Sequence, residues 1–280
     1  MLYAYAWYLD LVSPGWEALV VDGYSAVMPL PVRKKWGISY LFRPPYCQQL
    51  GLFSSSPASS ELLDACIAAI PEKIRLMDLP LNESNMALRE QSRYRFSERD
   101  TYLLPLDRNY DELYNNYSTN ARRNLDKALR LGLQPQRLFR PESLLGLKWE
   151  NSLNPLPQEY KVMLTGIWDK LSASGEAEIH AIHGNDGRLE AGALFIHSEK
   201  RWVYLLSASS PAGKSHRAMF LLIDHFIRGH AGEPVTLDFE GSILPDLARF
   251  FAGFGAVRVP YLCLHINRLP LPFRLIRKLF

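Results

Sequence analysis

Strong charge is missing from this sequence. Its 32 basic and 29 acidic residues leave a net charge of +3. That is too little to demand a nucleic-acid partner, though it suits an anionic ligand. Cysteine is scarce. Cys47, Cys66 and Cys263 are odd in number and far apart, with no CxxC pair. A disulfide scaffold is thereby excluded, and reduced thiols in a cytoplasmic protein are expected. No basic segment leads into an apolar run at the start, so no signal peptide is expected. The most apolar stretch, AMFLLIDHFI, is interrupted by Asp224 and too short to span a bilayer, so stable membrane insertion is not expected either. There is no GxSxG and no Walker loop. His180 and His183 are spaced HxxH, but on a strand that spacing turns them to opposite faces, and no metal site is expected.

What is present is apolar and patterned. Hydrophobic residues make up 48% of the chain, enough for a substantial core. In the first half, strands are expected over Trp16–Asp22, Tyr24–Arg33 and Ile38–Phe42, with turns at Asp22-Gly23 and at Lys34–Gly37. A proline-bearing loop follows. Then come a helix capped by Ser59 or Ser60 and a strand over Ile74–Leu79. The second half repeats this order. Strands are expected over Glu178–His183, Leu189–His197 and Trp202–Ser207, then the loop Ser209–Arg217, a helix from Ala218 and a strand over Val235–Phe239. Tyr40 and Tyr204, Leu63 and Leu222, and Asp78 and Asp238 recur at a spacing of about 160 residues, so one unit of topology occurs twice. Between the repeats, Arg93–Leu106 reads as a hairpin and Tyr110–Gly132 as one basic helix. Two more helices are expected over Glu142–Asn151 and Gln158–Ala173, and a last strand over Tyr261–Ile266. The division into 1–106 and 107–280 is placed on this pattern. The C-terminal PFRLIRKLF reads as a basic, apolar tail docked on the body.

The second repeat carries the chemistry. A strand enters a loop with Lys214, His216 and Arg217, the loop opens a helix, and the next strand carries Asp238 and Glu240. Free N–H groups at a helix start attract anions, and residues two apart on a strand share a face. This pattern predicts group transfer from a phosphate-bearing donor.

The order of three antiparallel strands, loop, helix, strand, helix and last strand resembles the GNAT N-acetyltransferase fold, and ARFFAGFGA (Ala248–Ala256) resembles its late helix. Two such units, with YSTNARRNLDKALRLG before the second, resemble the FemABX-type branch. The fold class implied is mixed α/β (α+β): tandem GNAT-like units, each a mostly antiparallel central sheet flanked by helices. The activity implied is N-acylation of a small-molecule or cell-wall amine, with acetyl-CoA or another acyl-CoA as donor and no metal. Aminoacyl-tRNA as donor to a cell-wall precursor is the alternative, and a non-catalytic ligand-binding protein of the same fold is the third reading. Carried onto this chain, the catalytic candidates are Glu240, Asp238 and Tyr261. The donor-binding candidates are Ser207, Ser209, Gly213, Lys214, Ser215, His216, Arg217 and Ala218. Candidates for contacting acceptor or tRNA are Tyr46, Gln48, Gln49, Tyr204, Arg123 and Lys127. Three positions depart from the family pattern. Gly213 and His216 stand where that loop usually has Arg or Gln and its first glycine, and Phe251 stands where a proton-donating Tyr is common.

Overall fold

The computed structural model describes residues 1–152, 154, 156–241 and 244–270. The proposed docking of the tail beyond residue 270 lies outside them. In chain order the elements are α1 (Ala6–Val12), β1 (Glu17–Val21), β2 (Ala26–Leu30), β3 (Val32–Lys35), β4 (Ile38–Leu41), β5 (Phe53–Ser54), α2 (Ser60–Ala69), β6 (Ile74–Pro80) and β7 (Phe96–Pro105). There follow α3 (Tyr110–Asn115), α4 (Thr119–Arg130), β8 (Gln134–Leu138), α5 (Glu142–Glu150), α6 (Gln158–Leu171), β9 (Ala177–His183), β10 (Leu189–Ser198) and β11 (Arg201–Ser209). The chain continues through α7 (Pro211–His216), α8 (Ala218–His230), β12 (Thr236–Asp238), α9 (Pro245–Ala252) and β13 (Val257–Asn267).

The chain forms two units, which differ from the expected division at residue 106. One comprises Met1–Asp100 together with the chain from Val259 onward; the other is Thr101–Arg258. In the first unit the strand order is β3-β4-β6-β13, beside a small sheet β1-β2-β5. The expected strand Tyr24–Arg33 is therefore two strands in two sheets, broken at Pro31, whose missing N–H cannot continue a ladder. In the second unit the order is β7-β12-β11-β10-β9-β8. The expected hairpin over Arg93–Leu106 is one long strand, β7, which passes from one unit into the other. The repeat of topology holds within each unit: β4 runs parallel to β6 and β11 parallel to β12, with helices between.

The second unit's core joins α4, α8 and α9 to the sheet. Leu125, Leu222, Phe226 and Phe251 are buried against Phe195, Tyr204 and Phe239. Phe195 and Phe226 stack with ring centroids 3.7 Å apart. The expected single helix Tyr110–Gly132 is two. Ser118 caps α4 by accepting from the Ala121 N–H at 3.1 Å, and its own N–H reaches the Gly253 carbonyl. Among the described residues no helix is long and apolar enough to cross a membrane.

Candidate active site

The site begins where two strands part. β11 pairs with β10 along its whole length, from Ser198↔Arg201 to Ala191↔Ser209. With β12 it pairs only at Arg201↔Thr236, Trp202↔Leu237 and Val203↔Asp238. Leu205 is an extra residue between the pairs Phe195↔Tyr204 and Leu194↔Leu206. Such a bulge bends its strand and raises the local twist. The bulge thus steers β11 away from β12, and among the described residues the edge from Tyr204 to Ser209 has no strand partner on that side. β12 stops at once, because Glu240 takes a left-handed conformation (φ 57°) with its N–H on Asp238 Oδ1 at 2.9 Å.

Beyond β11 the expected loop is a short helix, α7. Ser210 caps it, accepting from the Gly213 N–H at 3.0 Å, and Pro211 occupies its first turn. Arg217, at φ 63°, ends it and starts α8. Gly213 is required here: a Cβ at that position would lie 2.0 Å from the Glu190 carbonyl oxygen on β10. His216 turns the same way, its Nδ1 2.8 Å from the buried Glu190 carboxylate. The N–H groups of Gly213, Lys214 and Arg217 are all bonded inside this turn. A backbone phosphate cradle is therefore not formed by these three, and exposed Lys214 and Arg217 offer charge through their side chains instead.

These elements enclose a cavity of about 380 Å³. β11 contributes Tyr204, Ser207, Ala208 and Ser209, and the α7–α8 corner gives Gly213, Lys214, Arg217, Met219 and Phe220. Leu247 and Phe250 of α9 add an apolar wall, and Lys148 and Asn151 come from the end of α5. Lys148 donates from Nζ to the Ser207 carbonyl at 3.2 Å, and burial holds its ammonium below the usual lysine pKa. Tyr204 donates to Met219 Sδ at 3.3 Å, and burial pushes its phenol well above the usual tyrosine range.

Residues 117–243 match the sequence profile of the acetyltransferase (GNAT) domain. The second unit is thus similar to a GNAT domain over most of its length. No curated protein matches the sequence. Among solved structures, FemX is 18% identical over 97% of this chain and 92% of its own, with a TM-score of 0.62. L-PGS from Bacillus licheniformis is 13% identical over 96% and 89%, TM-score 0.57. A tandem GNAT protein from the clavulanic acid biosynthesis pathway is 11% identical over 94% and 87%, TM-score 0.57. At these identities the likeness is one of fold, and it covers both units: the chain has a tandem GNAT-like fold of the FemABX-like kind.

The second unit gathers Tyr204, Ser207, Ser209, Gly213, Lys214 and Arg217 around one cavity. Ala218 is buried at the start of α8, His216 faces Glu190, and exposed Ser215 meets Lys127 through its carbonyl at 3.0 Å. Arg123 is exposed on α4, bonded to Asn120. Asp238 and Glu240 do not line the cavity. Asp238, 1% exposed, accepts from Thr101 Oγ1 at 2.6 Å and pairs with Arg201 at 3.0 Å, so it ties β12 to its neighbours. The two carboxylates share no strand face, because the strand ends between them. Tyr261 is buried in β13, within the first unit. There too lie Tyr46, whose carbonyl accepts from Tyr8, and the buried Gln48 and Gln49. Lys148, Asn151, Met219, Phe220, Leu247 and Phe250 were not anticipated. The readable signal for Lys148 is a lone cation in the apolar run LLGLKW.

Proposed function

We propose that this protein transfers an acyl group from acyl-CoA to an amine, with the donor in the cavity beside β11. One observation carries this reading: the backbone edge Tyr204–Ser209, left open by the bulge at Leu205. The pantetheine arm of CoA contains two amides, which bond to a strand edge as a neighbouring strand would. Lys214 and Arg217 then meet the phosphates by side chain, and the apolar wall of Phe220, Leu247 and Phe250 keeps the thioester dry. With Asp238 committed to Arg201, Lys148 becomes the base that takes the proton from the attacking amine and passes it to the departing CoA thiolate as the C–S bond breaks. Its burial raises the neutral fraction at a given pH. Donor and acceptor are taken to be cytoplasmic. The acceptor is a small or cell-wall amine.

The test is calorimetry with CoA and acetyl-CoA, with amide exchange read in parallel. Binding below millimolar concentration with new protection across Tyr204–Ser209 is expected. Absence of both overturns the reading.

A second donor, aminoacyl-tRNA, is favoured by one separate contact. Lys127 sits on the Ser215 carbonyl, which brings the basic face of α4, with Arg123, alongside Lys214 and Arg217 on α7. Binding of charged tRNA that weakens steeply with salt, and weakens further in Arg123→Glu with Lys127→Glu, would select this donor over CoA.

A further inference from the structure

Away from the cavity, the first unit brings three different metal-binding groups to one point on β6 and β13. Asp78 Oδ1 lies 3.2 Å from Cys263 Sγ and 3.0 Å from His265 Nδ1. All three ligand atoms fall within 4.8 Å of one another. His265 and Asp78 are directly paired across the two strands, and Cys263 is two residues from His265 on the same face. Zinc–ligand bonds of roughly 2.0–2.3 Å in a tetrahedron put neighbouring ligand atoms about 3.2–3.7 Å apart. The two distances to Asp78 are close to that edge length.

The surroundings suit an ion as well. A metal-bound histidine uses one ring nitrogen and is oriented through the other. Here Nδ1 faces Asp78, and Nε2 is 2.5 Å from Ser97 Oγ. The Asp78 and His265 side chains are 52% and 25% exposed, which gives a path from solvent, while Cys263 is buried beneath them. Arg99 lies 3.6 Å from Asp78 Oδ1, and with an ion on Oδ1 that ion pair would pass to the second carboxylate oxygen.

We propose that Asp78, Cys263 and His265 bind one zinc-class divalent ion, with water completing the tetrahedron. Sulfur, nitrogen and oxygen together favour zinc over magnesium or calcium. The ion clips β13, contributed from the far end of the chain, onto β6. A Ser97–His265–Asp78 hydrolytic relay is the competing use of the same bonds. It gives no role to the Cys263 sulfur converging on the same oxygen, and so it is disfavoured.

Titration of metal-free protein with Co²⁺ tests this directly. One equivalent should give a thiolate-to-cobalt absorption band that Zn²⁺ displaces, and Zn²⁺ should raise Tm and slow amide exchange along β6 and β13. Cys263→Ser should abolish the band. His265→Gln and Asp78→Asn, at partly exposed positions that leave the fold intact, should each weaken binding at least tenfold. No band at saturating Co²⁺, or a band unchanged in His265→Gln and Asp78→Asn, overturns the site. So does covalent labelling of Ser97 by a fluorophosphonate in metal-free protein, because it would assign His265 to the serine.

Discussion

The two units share a topology and differ at one place. In the second, β11 overruns its parallel partner β12 and leaves an edge open to a cavity. In the first, β4 ends at Leu41, level with its last pair to β6 at Met77. The chain then folds back over the same gap. The Leu50 N–H bonds to the Pro80 carbonyl at 2.9 Å, and Leu50 bridges to Leu81. Asn82 donates to the Leu50 and Leu52 carbonyls, Asn85 both donates to and accepts from Leu52, and Gln49 accepts from the Glu83 N–H. Proline placement decides which outcome occurs. Pro44 and Pro45 follow closely on Tyr40 and end that strand, whereas after Tyr204 the first proline is Pro211. One unit is sealed by its own buried side chains; the other keeps its edge open to a cavity.

That contrast can be broken most strongly at the two glycines holding it. Gly213→Val should drive α7 off β10, costing about 3 kcal/mol or more in denaturant unfolding and abolishing donor binding. Gly51→Val is comparably severe for stability. Its Cβ would meet Asn85 Oδ1 at 2.6 Å and its φ is +85°. A Gly51→Val protein that still folds should retain donor binding. Next in size, Asn82→Ala should cost about 2–3 kcal/mol by leaving the Leu50 and Leu52 carbonyls with fewer donors, again without changing affinity for the donor. Lys214→Glu with Arg217→Glu should do the reverse. Both side chains are exposed, so Tm should stay near wild type while CoA affinity falls about 10- to 100-fold.

The smallest expected effect is the most diagnostic. Burial lowers the Lys148 pKa in the folded protein, so the unfolded chain binds more protons there and stability rises with pH through the interval between the two values. Lys148→Met should therefore raise Tm slightly at neutral pH, with the gain shrinking as pH approaches the ordinary lysine value. The same substitution should abolish transfer. Lys148→Arg, which cannot lose its proton, should also be inactive. An active Lys148→Arg protein would remove lysine from the role of base.

Much of this arrangement was readable in the residues. β9, β10 and β11 fall within two residues of their expected bounds, because alternating apolar positions and the Asp186-Gly187 turn mark them. Six of the cavity's residues were among the candidates that the family resemblance implied. The errors have physical causes. β8 was missed because QPQRL is polar and holds Pro135, which a strand tolerates at a sheet edge, the place β8 occupies beside β9. α7 was read as loop because Gly213 looks like a breaker, whereas its need is close contact with Glu190. Asp238 and Glu240 were paired on the two-residue period of a strand, and that period fails when the second residue turns left-handed. Lys148 reached the site through packing of α5, which no local spacing reports.

The partition of the chain also sets an order of events during synthesis. Residues 101–258 form one uninterrupted unit, whereas the first unit needs the chain from Val259 onward to add β13 beside β6. On the ribosome, the portion made first must wait with a vacant place in its sheet while the later portion emerges and finishes. A released chain truncated after Arg258 should thus hold a complete second unit and an incomplete first one, and protease digestion of it should spare 101–258 while cutting within 1–100.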